Sequence, residues 1–234
     1  MTITQLNPAN APVDFYYWPT PNGQKVAILL EEMGMKYRLR PINISKGEQF
    51  SPEYARVSPN QRMPAIVDHI SDVSVFESGA ILLYFAEKLQ RFIPSDPKGK
   101  AEVTQWLFWQ MSAFGPILGQ AVYFREYAPQ PAPLAIERFT RETARLYRVL
   151  DTQLEQHEFI AGEYSIADMA AYPWACEFEK QGQSIDDFPH VKRWLSAVGK
   201  RAAVQRAYAI GENVRPSAST SANRAALFAQ RSAS

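Results

Sequence analysis

Three places in this chain of 234 residues combine residue types that do chemistry with a spacing that would aim them. The first is Pro19-Thr20-Pro21-Asn22-Gly23. It follows the apolar, aromatic run 13–18 and precedes the run 24–33, so it reads as the turn from a strand into a helix. Thr20 suits the N-cap and Pro21 the first helical position, where no backbone N–H is needed. The N–H groups of Asn22 and Gly23 then lack partners inside the helix. With the Thr20 hydroxyl and the Asn22 amide beside them, they make a place to hold an anion. The second place, Glu77-Ser78-Gly79-Ala80, is another helix entry of this kind. Taken alone, each is equally an ordinary helix cap. The third, Ser165-Ile166-Ala167-Asp168, is structural. Ser165 can accept from the Asp168 N–H while the Asp168 carboxylate reaches back to the Ser165 N–H, with Tyr164 and Met169 at the staple positions.

Much other chemistry is excluded. The single cysteine, Cys176, allows no intrachain disulfide, no CxxC pair and no thiolate cage. It lies in an expected helix, where a buried small hydrophobe is the plain reading. His69, His157 and His190 are far apart and show no HExxH, so no metal site is expected. GxGxxG, P-loop and GxSxG motifs are absent. An enzyme of this composition would draw its chemistry from a bound small molecule. The formal net charge of +1 gives no reason to expect nucleic acid or an anionic membrane as partner. No apolar run reaches membrane-span length. Residues 1–8 lack a basic region followed by an apolar core and make a poor signal peptide, so a cytoplasmic protein is expected.

The elements that must position these residues fall into two halves. Residues 1–12 read as a flexible extension. Residues 13–94 are α/β. After the first strand and helix, 36–43 alternates as a second, parallel strand. Ser51-Pro52-Glu53 starts a short helix, and 65–67 is a strand with Pro64 at its entry. A strand at 73–76 pairs antiparallel with it, and a helix covers 78–89. Residues 95–100 read as a linker, because prolines, a glycine and charges interrupt two periodic segments. Residues 101–213 are all helical. The run Trp106-Leu107-Phe108-Trp109 lies on the first helix, and Pro116 and Gly119 should bend or break the region before Tyr127. Leu134 to Gln156 carries Ile136, Phe139, Thr143, Leu146 and Leu150 as a buried stripe. Its charged face offers a pair between Arg138 and Glu142. A last helix is expected near 189–208. Residues 214–234, rich in Ser and Ala, read as a disordered tail with a weak helix at 225–230.

Taken in order, Met63-Pro64-Ala65-Ile66-Val67-Asp68, Phe76-Glu77-Ser78-Gly79-Ala80-Ile81 and Ser165-Ile166-Ala167-Asp168 resemble the cytosolic glutathione transferases, over about residues 13–210. The resemblance implies a thioredoxin-like N-terminal domain, an all-α helical bundle and a cis Met63–Pro64 bond. Pro19–Gly23, Gly47-Glu48-Gln49-Phe50, Gln105–Gln110, Pro116–Gln120 and Ala135–Arg138 are most similar to the bacterial Nu-class and Ure2-like disulfide-bond oxidoreductases. That group implies Thr20 and Asn22 at the thiol of glutathione. Gln49, the Met63 backbone beside Pro64, Glu77 and Ser78 would hold the tripeptide, and Arg138 would add a contact from the helical domain. Ser78 would meet the γ-glutamyl carboxylate, Glu77 the amine, and Met63 the peptide in the manner of an added strand. Phe15, Tyr123, Phe124 and Trp174 would line a substrate pocket between the domains. The resemblance also implies a homodimer, and two reduced glutathiones or one oxidised glutathione per site.

A cysteine thiol with a pKa near ~8.5 must ionise to react, and a helix N-terminus with added donors favours the thiolate. Thr20 and Asn22 are such donors. Tyr16 and Tyr17 are alternatives, read mainly as core or pocket aromatics. With no cysteine at this helix start, disulfide reduction must use bound glutathione directly, a second glutathione resolving the mixed disulfide. The expected activity is disulfide-bond reduction with modest transferase activity. Conjugation of electrophiles or cleavage of aryl ethers is the alternative, and a non-catalytic glutathione-binding regulatory module the third.

Overall fold

The computed structural model describes residues 11–214. Nearly all of the expected extension and tail therefore lies outside the described residues, the weak helix at 225–230 included. Contacts divide the chain into two compact units, one running up to Ile81 and resuming at Ala207, the other spanning Leu82–Arg206.

In the first unit, β1 (Val13–Tyr17), β2 (Arg38–Pro41), β3 (Ala65–Asp68) and β4 (Val73–Phe76) form one sheet in the order β2-β1-β3-β4. β1 and β2 are parallel, joined by α1 (Pro21–Met33), while β3 runs antiparallel to both β1 and β4. The second strand is shorter than 36–43. β2 is an edge strand, and Pro41, with no N–H to give the ladder, ends it. Val13, Phe15 and Tyr17 of β1 pack into the core with Val26, Ala27, Leu29 and Leu30 of α1. α1 stops at Gly34, whose φ of 65° lets its N–H reach back to the carbonyls of Glu31 and Leu30. α2 (Pro52–Val57) precedes β3, and the Met63–Pro64 bond is cis as expected.

The register matters most for function. Tyr17 pairs with Pro41, Tyr16 with Ala65, and Ala65 with Phe76. The exits of β1, β2 and β4 and the entry of β3 therefore lie at one end of the sheet. Thr20 and Asn22, the segment containing Gln49, Met63–Pro64, and Glu77–Ser78 all leave or enter at that end.

α3 (Ser78–Leu89) has the limits expected of it, and it is followed by α4 (Pro97–Trp109). The bend expected at Pro116 and Gly119 does not break the chain. α4 passes through a π-helical segment, Gln110–Phe114, into α5 (Gly115–Val122) and then a second, Tyr123–Tyr127. Pro116 falls in the first turn of α5, where the wider turn before it accommodates a missing N–H. α6 (Pro133–Gln156) buries Thr143, Leu146, Tyr147, Leu150 and Leu154 along one stripe. On its outer face Arg141 pairs with Glu137 at 3.1 Å and Arg145 hydrogen-bonds Glu142 at 2.6 Å, while Arg138 adds a weaker charge attraction to Glu142. α7 (Ile166–Ala175) starts at the Ser165 cap. The single last helix is in fact two, α8 (Pro189–Gly199) and α9 (Ala202–Val214), because the chain leaves helical conformation at Arg201, whose carbonyl accepts from the Gln205 N–H to start anew. Among the described residues no helix is long and apolar enough to cross a membrane.

Candidate functional site

The first turn of α1 is built by Thr20. Its backbone is extended (φ −111°, ψ 160°), and its Oγ accepts from the Gly23 N–H at 3.2 Å. The Gly23 N–H, expected to be without a partner, is thus capped. A hydroxyl that accepts on a lone pair keeps its own proton to donate. Gly23 has no room for a side chain. A Cβ there would stand 2.2 Å from the Trp18 carbonyl oxygen and 3.2 Å from the Tyr17 ring. Thr20 and Asn22 are both half-buried. Behind this turn, α9 seats Gly211 so closely that a Cβ would lie 2.8 Å from Tyr17 Oη, 2.9 Å from Gln24 Nε2 and 3.2 Å from Pro19 Cβ. Residues 207–214 thus belong with the first unit. Tyr17 is a core residue, and half-buried Tyr16 sets its ring 5.6 Å from that of Tyr54.

The second helix start adds charge. Glu77 is exposed and holds φ at 69°, a left-handed conformation that costs a non-glycine residue about 1 kcal/mol or more. Asn60 Nδ2 donates to Glu77 Oε1 at 3.3 Å. Ser78 is buried, and Lys25 Nζ of α1 lies 3.5 Å from its Oγ, at the outer limit of a hydrogen bond. Lys25 is itself 1% exposed. Burial pushes its ammonium down to about 7, and Glu77 pulls against that shift. Lys25, the fifth residue of α1, therefore reaches from α1 to the first turn of α3.

The remaining first-unit residues are set by local bonds. The Asn43 side chain accepts from the Ser45 N–H at 3.0 Å, and Glu48 Oε2 accepts from the Asn43 N–H at 2.6 Å. These order the turn that carries Gln49. Gln49 is 2% exposed, and its Oε1 has no hydrogen-bond partner among the described residues. Ahead of Met63, the Arg62 carbonyl accepts from Tyr54 Oη at 2.7 Å and from Ser58 Oγ at 3.1 Å. Tyr54 and Ser58 are both buried and so fix the approach to the cis peptide. Burial raises the Tyr54 phenol well above its ordinary value, which keeps it a donor.

Phe15 is a correction. It is fully buried, with its ring 5.2 Å from Tyr17 and 5.8 Å from Tyr37, so it fills the core of its unit and lines no pocket. The other expected pocket residues belong to the second unit. Tyr123 and Phe124, both half-buried, sit in the second π-helical segment with ring centroids 5.1 Å apart. Phe124 stacks on Phe139 at 5.5 Å. Trp174 of α7 is half-buried and covers Gly119, where a Cβ would lie 3.1 Å from its Cη2. Arg138 is exposed on α6. Cys176, at the end of α7, is half-buried. Lys25, Asn60, Tyr54 and Ser58 escape a reading of the sequence. Asn60 alone had a signal, as a polar turn residue beside the Met63–Pro64 motif. Among the described residues no group of His, Cys, Asp and Glu is arranged to hold a metal ion.

The arrangement offers two helix N-termini, a hydroxyl donor, a carboxylate and a buried cation at one sheet end. These suit a ligand that carries carboxylates, an amine and an acidic thiol.

Comparison with known proteins agrees with these halves. The model of the glutathione S-transferase N-terminal domain matches residues 11–87, and that of the C-terminal domain matches residues 119–202. The disulfide-bond oxidoreductase YfcG of Escherichia coli is 46% identical over 201 residues, covering 83% of this chain and 94% of that protein. Among solved structures, a glutathione transferase family member from Pseudomonas fluorescens with two glutathione bound has a TM-score of 0.80 at 39% identity, covering 86% of this chain and 94% of that one. A glutathione transferase from Pseudomonas putida, with one glutathione disulfide bound per subunit, has a TM-score of 0.81 at 36% identity, covering 86% and 92%.

Proposed function

The chain belongs to the glutathione S-transferase family, and from that premise we propose that it is a glutathione-dependent disulfide-bond reductase with modest transferase activity. The observation that carries this reading is the sheet register, which brings Thr20 and Asn22, the Gln49 turn, Met63–Pro64 and Glu77–Ser78 to one end of the sheet. Relatives support the reaction: one is named a disulfide-bond oxidoreductase, and solved neighbours carry two glutathiones or one glutathione disulfide.

In this reading Ser78 and the α3 N-terminus take the γ-glutamyl carboxylate, Glu77 the amine, and the Met63 backbone the peptide, with Gln49 and Arg138 adding polar contacts. The Thr20 hydroxyl and Asn22 amide donate to the glutathione sulfur and favour its thiolate. That thiolate attacks one sulfur of the substrate disulfide. A glutathione mixed disulfide forms, and the other substrate sulfur leaves as a thiolate and takes a proton. The thiolate of a second glutathione attacks the glutathione sulfur of the mixed disulfide, giving oxidised glutathione and the second substrate thiol. In this reading no cysteine of the chain takes part, because the start of α1 carries Thr20 and Asn22 and the single cysteine, Cys176, caps the end of α7. Nu-class membership, a cytoplasmic homodimer and an electrophile pocket lined by Tyr123, Phe124 and Trp174 belong to the same reading. Light scattering in solution tests the dimer.

Turnover of a small soluble disulfide by wild type, Cys176→Ala and Asn22→Ala tests the mechanism. The Cys176 variant is expected to keep full activity and the Asn22 variant to lose most of it. Loss on removing Cys176 would overturn the borrowed thiolate. A second reading, conjugation or thiolytic cleavage, is favoured by the half-buried aromatic pair Tyr123–Phe124 in a π-helical segment, a geometry frequent at functional sites. Product analysis with an electrophile panel separates the two.

A further inference from the structure

The entry to α1 is tied from within. The Tyr17 carbonyl accepts from the Ile42 N–H at 2.9 Å, the Trp18 carbonyl from the Thr20 N–H at 2.7 Å, and the Thr20 carbonyl from the Gln24 N–H at 2.9 Å. Pro19, directly ahead of Thr20, has no N–H to bond, so its ring must be held by packing. That packing comes from α9, whose residues 207–214 lie in the same compact unit as α1. Ala207 and Gly211, four residues apart, share its buried face. A Cβ at Gly211 would stand 2.8 Å from Tyr17 Oη, 2.9 Å from Gln24 Nε2 and 3.2 Å from Pro19 Cβ. Tyr17 and Gln24 are 0% and 7% exposed, so neither can swing its end out to water. Glycine inside a helix is weaker than alanine, yet here alanine does not fit. All three neighbours flank Thr20 and Asn22.

We propose that Gly211 is a positioning residue for the glutathione thiol: having no side chain, it lets α9 press on Tyr17, Pro19 and Gln24 and so holds the Thr20 hydroxyl and Asn22 amide where they meet the sulfur. The inference rests on the glutathione reading above. In this role Gly211 acts through residues 17–24 and not on the sulfur itself. A hydrogen bond weakens steeply as its donor moves off line, so a small shift of this entry acts on the thiolate first. In the same reading the rest of the tripeptide is held from α3 and from Met63, which a displaced Pro19 leaves in place. A methyl at Gly211 therefore separates thiol activation from glutathione binding. The coupling is reciprocal: if α9 helps to hold the donors on the thiolate, the thiolate helps to hold α9.

The test is Gly211→Ala, with Glu212→Ala on the exposed side of α9 as the control that changes nothing. Thiolate absorbance of bound glutathione is followed against pH, and calorimetry measures binding of the analogue that carries a methyl in place of the thiol. In Gly211→Ala the thiol pKa is expected to rise by about 0.5–1 unit, while affinity for the thiol-free analogue stays within about twofold of wild type. Turnover at neutral pH should lose about threefold or more in kcat, with KM for glutathione within about twofold. In a Tyr17→Phe, Gln24→Ala background, which removes the atoms met at 2.8 and 2.9 Å, the same substitution should move the thiol pKa by no more than about 0.2 unit. An unmoved pKa in Gly211→Ala, a shift that persists in that background, or equal weakening of glutathione and the thiol-free analogue would overturn the proposal. If Gly211→Ala does not fold, hydrogen exchange in wild type decides. Glutathione should slow the amides of 207–214 about threefold more than the thiol-free analogue does, and equal or absent protection overturns the proposal. Glutathione binding with an unmoved pKa sinks only the role of Gly211, whereas no glutathione binding by wild type sinks the reading of the site as well.

Discussion

Gly23 donates its backbone N–H to Thr20 Oγ at 3.2 Å, so one side chain both closes the first turn of α1 and keeps a proton to offer outward. Capping and thiolate stabilisation are often weighed as rival explanations of a threonine at a helix start. Here they use different parts of one hydroxyl, and substitution can separate them.

Thr20→Ser keeps both the acceptor and the donor and should behave as wild type. Thr20→Val keeps the shape and loses both. Its stability should fall by about 1 kcal/mol, the ordinary effect of losing a cap. The pKa of the bound glutathione thiol should rise by about one unit, with a roughly tenfold loss of turnover at neutral pH. Urea unfolding measures the first effect, and thiolate absorbance of the complex against pH the second. A Thr20→Val protein that loses stability but keeps the thiol pKa would leave Thr20 as a cap alone.

Gly23→Ala should be worse than the usual exchange of glycine for alanine inside a helix, which is stabilising. The new methyl would meet the Trp18 carbonyl oxygen at 2.2 Å, and that oxygen belongs to backbone that cannot swing away. α1 must shift off β1, at a cost of about 1–3 kcal/mol. The shift also moves Thr20 and Asn22, so glutathione affinity should fall in parallel. A stability equal to that of wild type would show the contact to be looser than it stands.

How far the sequence could be read depends on the range of the forces involved. The limits of α3 are legible because its apolar stripe acts within one helix. The ordered motifs around Met63–Pro64 and Glu77–Ser78 are legible because each is a local signal. Lys25 is not, because a lysine near the start of a helix looks solvent-facing. Only the sheet register brings it to Ser78. Phe15 misleads for a related reason: a strand flanked on both sides in the sheet buries nearly its whole length, so no residue of it can be assigned to a pocket by type. The continuous helix across Pro116 was hidden because π-helical turns leave no simple period.

Lys25 also makes stability depend on pH in a defined direction. Its folded pKa, about 7, lies below the unfolded value of 10.5. Between these values the unfolded chain binds more protons, so stability rises with pH from about 7 toward 10.5 and is flat below that window. Other groups titrate there as well, so the quantity to follow is the difference between wild type and Lys25→Met in melting temperature. In the ligand-free protein, wild type should gain on the variant steadily from pH 7 to 10. A constant difference would mean that Lys25 stays fully charged when folded.

Asp168 shows how much more than a cap an acidic capping box can carry. Its Oδ2 accepts from the Ser165 N–H at 3.0 Å, as the sequence predicts, but its Oδ1 also accepts from the Ile160 N–H at 3.0 Å and from Trp194 Nε1 at 2.8 Å. Ser165 Oγ accepts from the Asp168 N–H, completing the capping box, and also from the Ala167 N–H at 3.2 Å. Burial pushes the Asp168 carboxyl up to about 6, while these donors pull it down. It thus stays a carboxylate at neutral pH and joins the turn before α7, the start of α7 and α8. Loss of a cap alone would cost about 0.5–2 kcal/mol. Asp168→Ala also strands the Ile160 N–H and the Trp194 indole in a dry core, at about 1–3 kcal/mol for each unsatisfied donor. The total expected is about 4 kcal/mol, larger than for Ser165→Ala, which leaves those two bonds intact. Asp168→Asn should fall between them, because an amide keeps one acceptor oxygen but turns an NH2 toward a donor. Denaturant unfolding of the three variants gives the order. Equal effects of Ser165→Ala and Asp168→Ala would mean that the bonds to Ile160 and Trp194 add nothing beyond the cap.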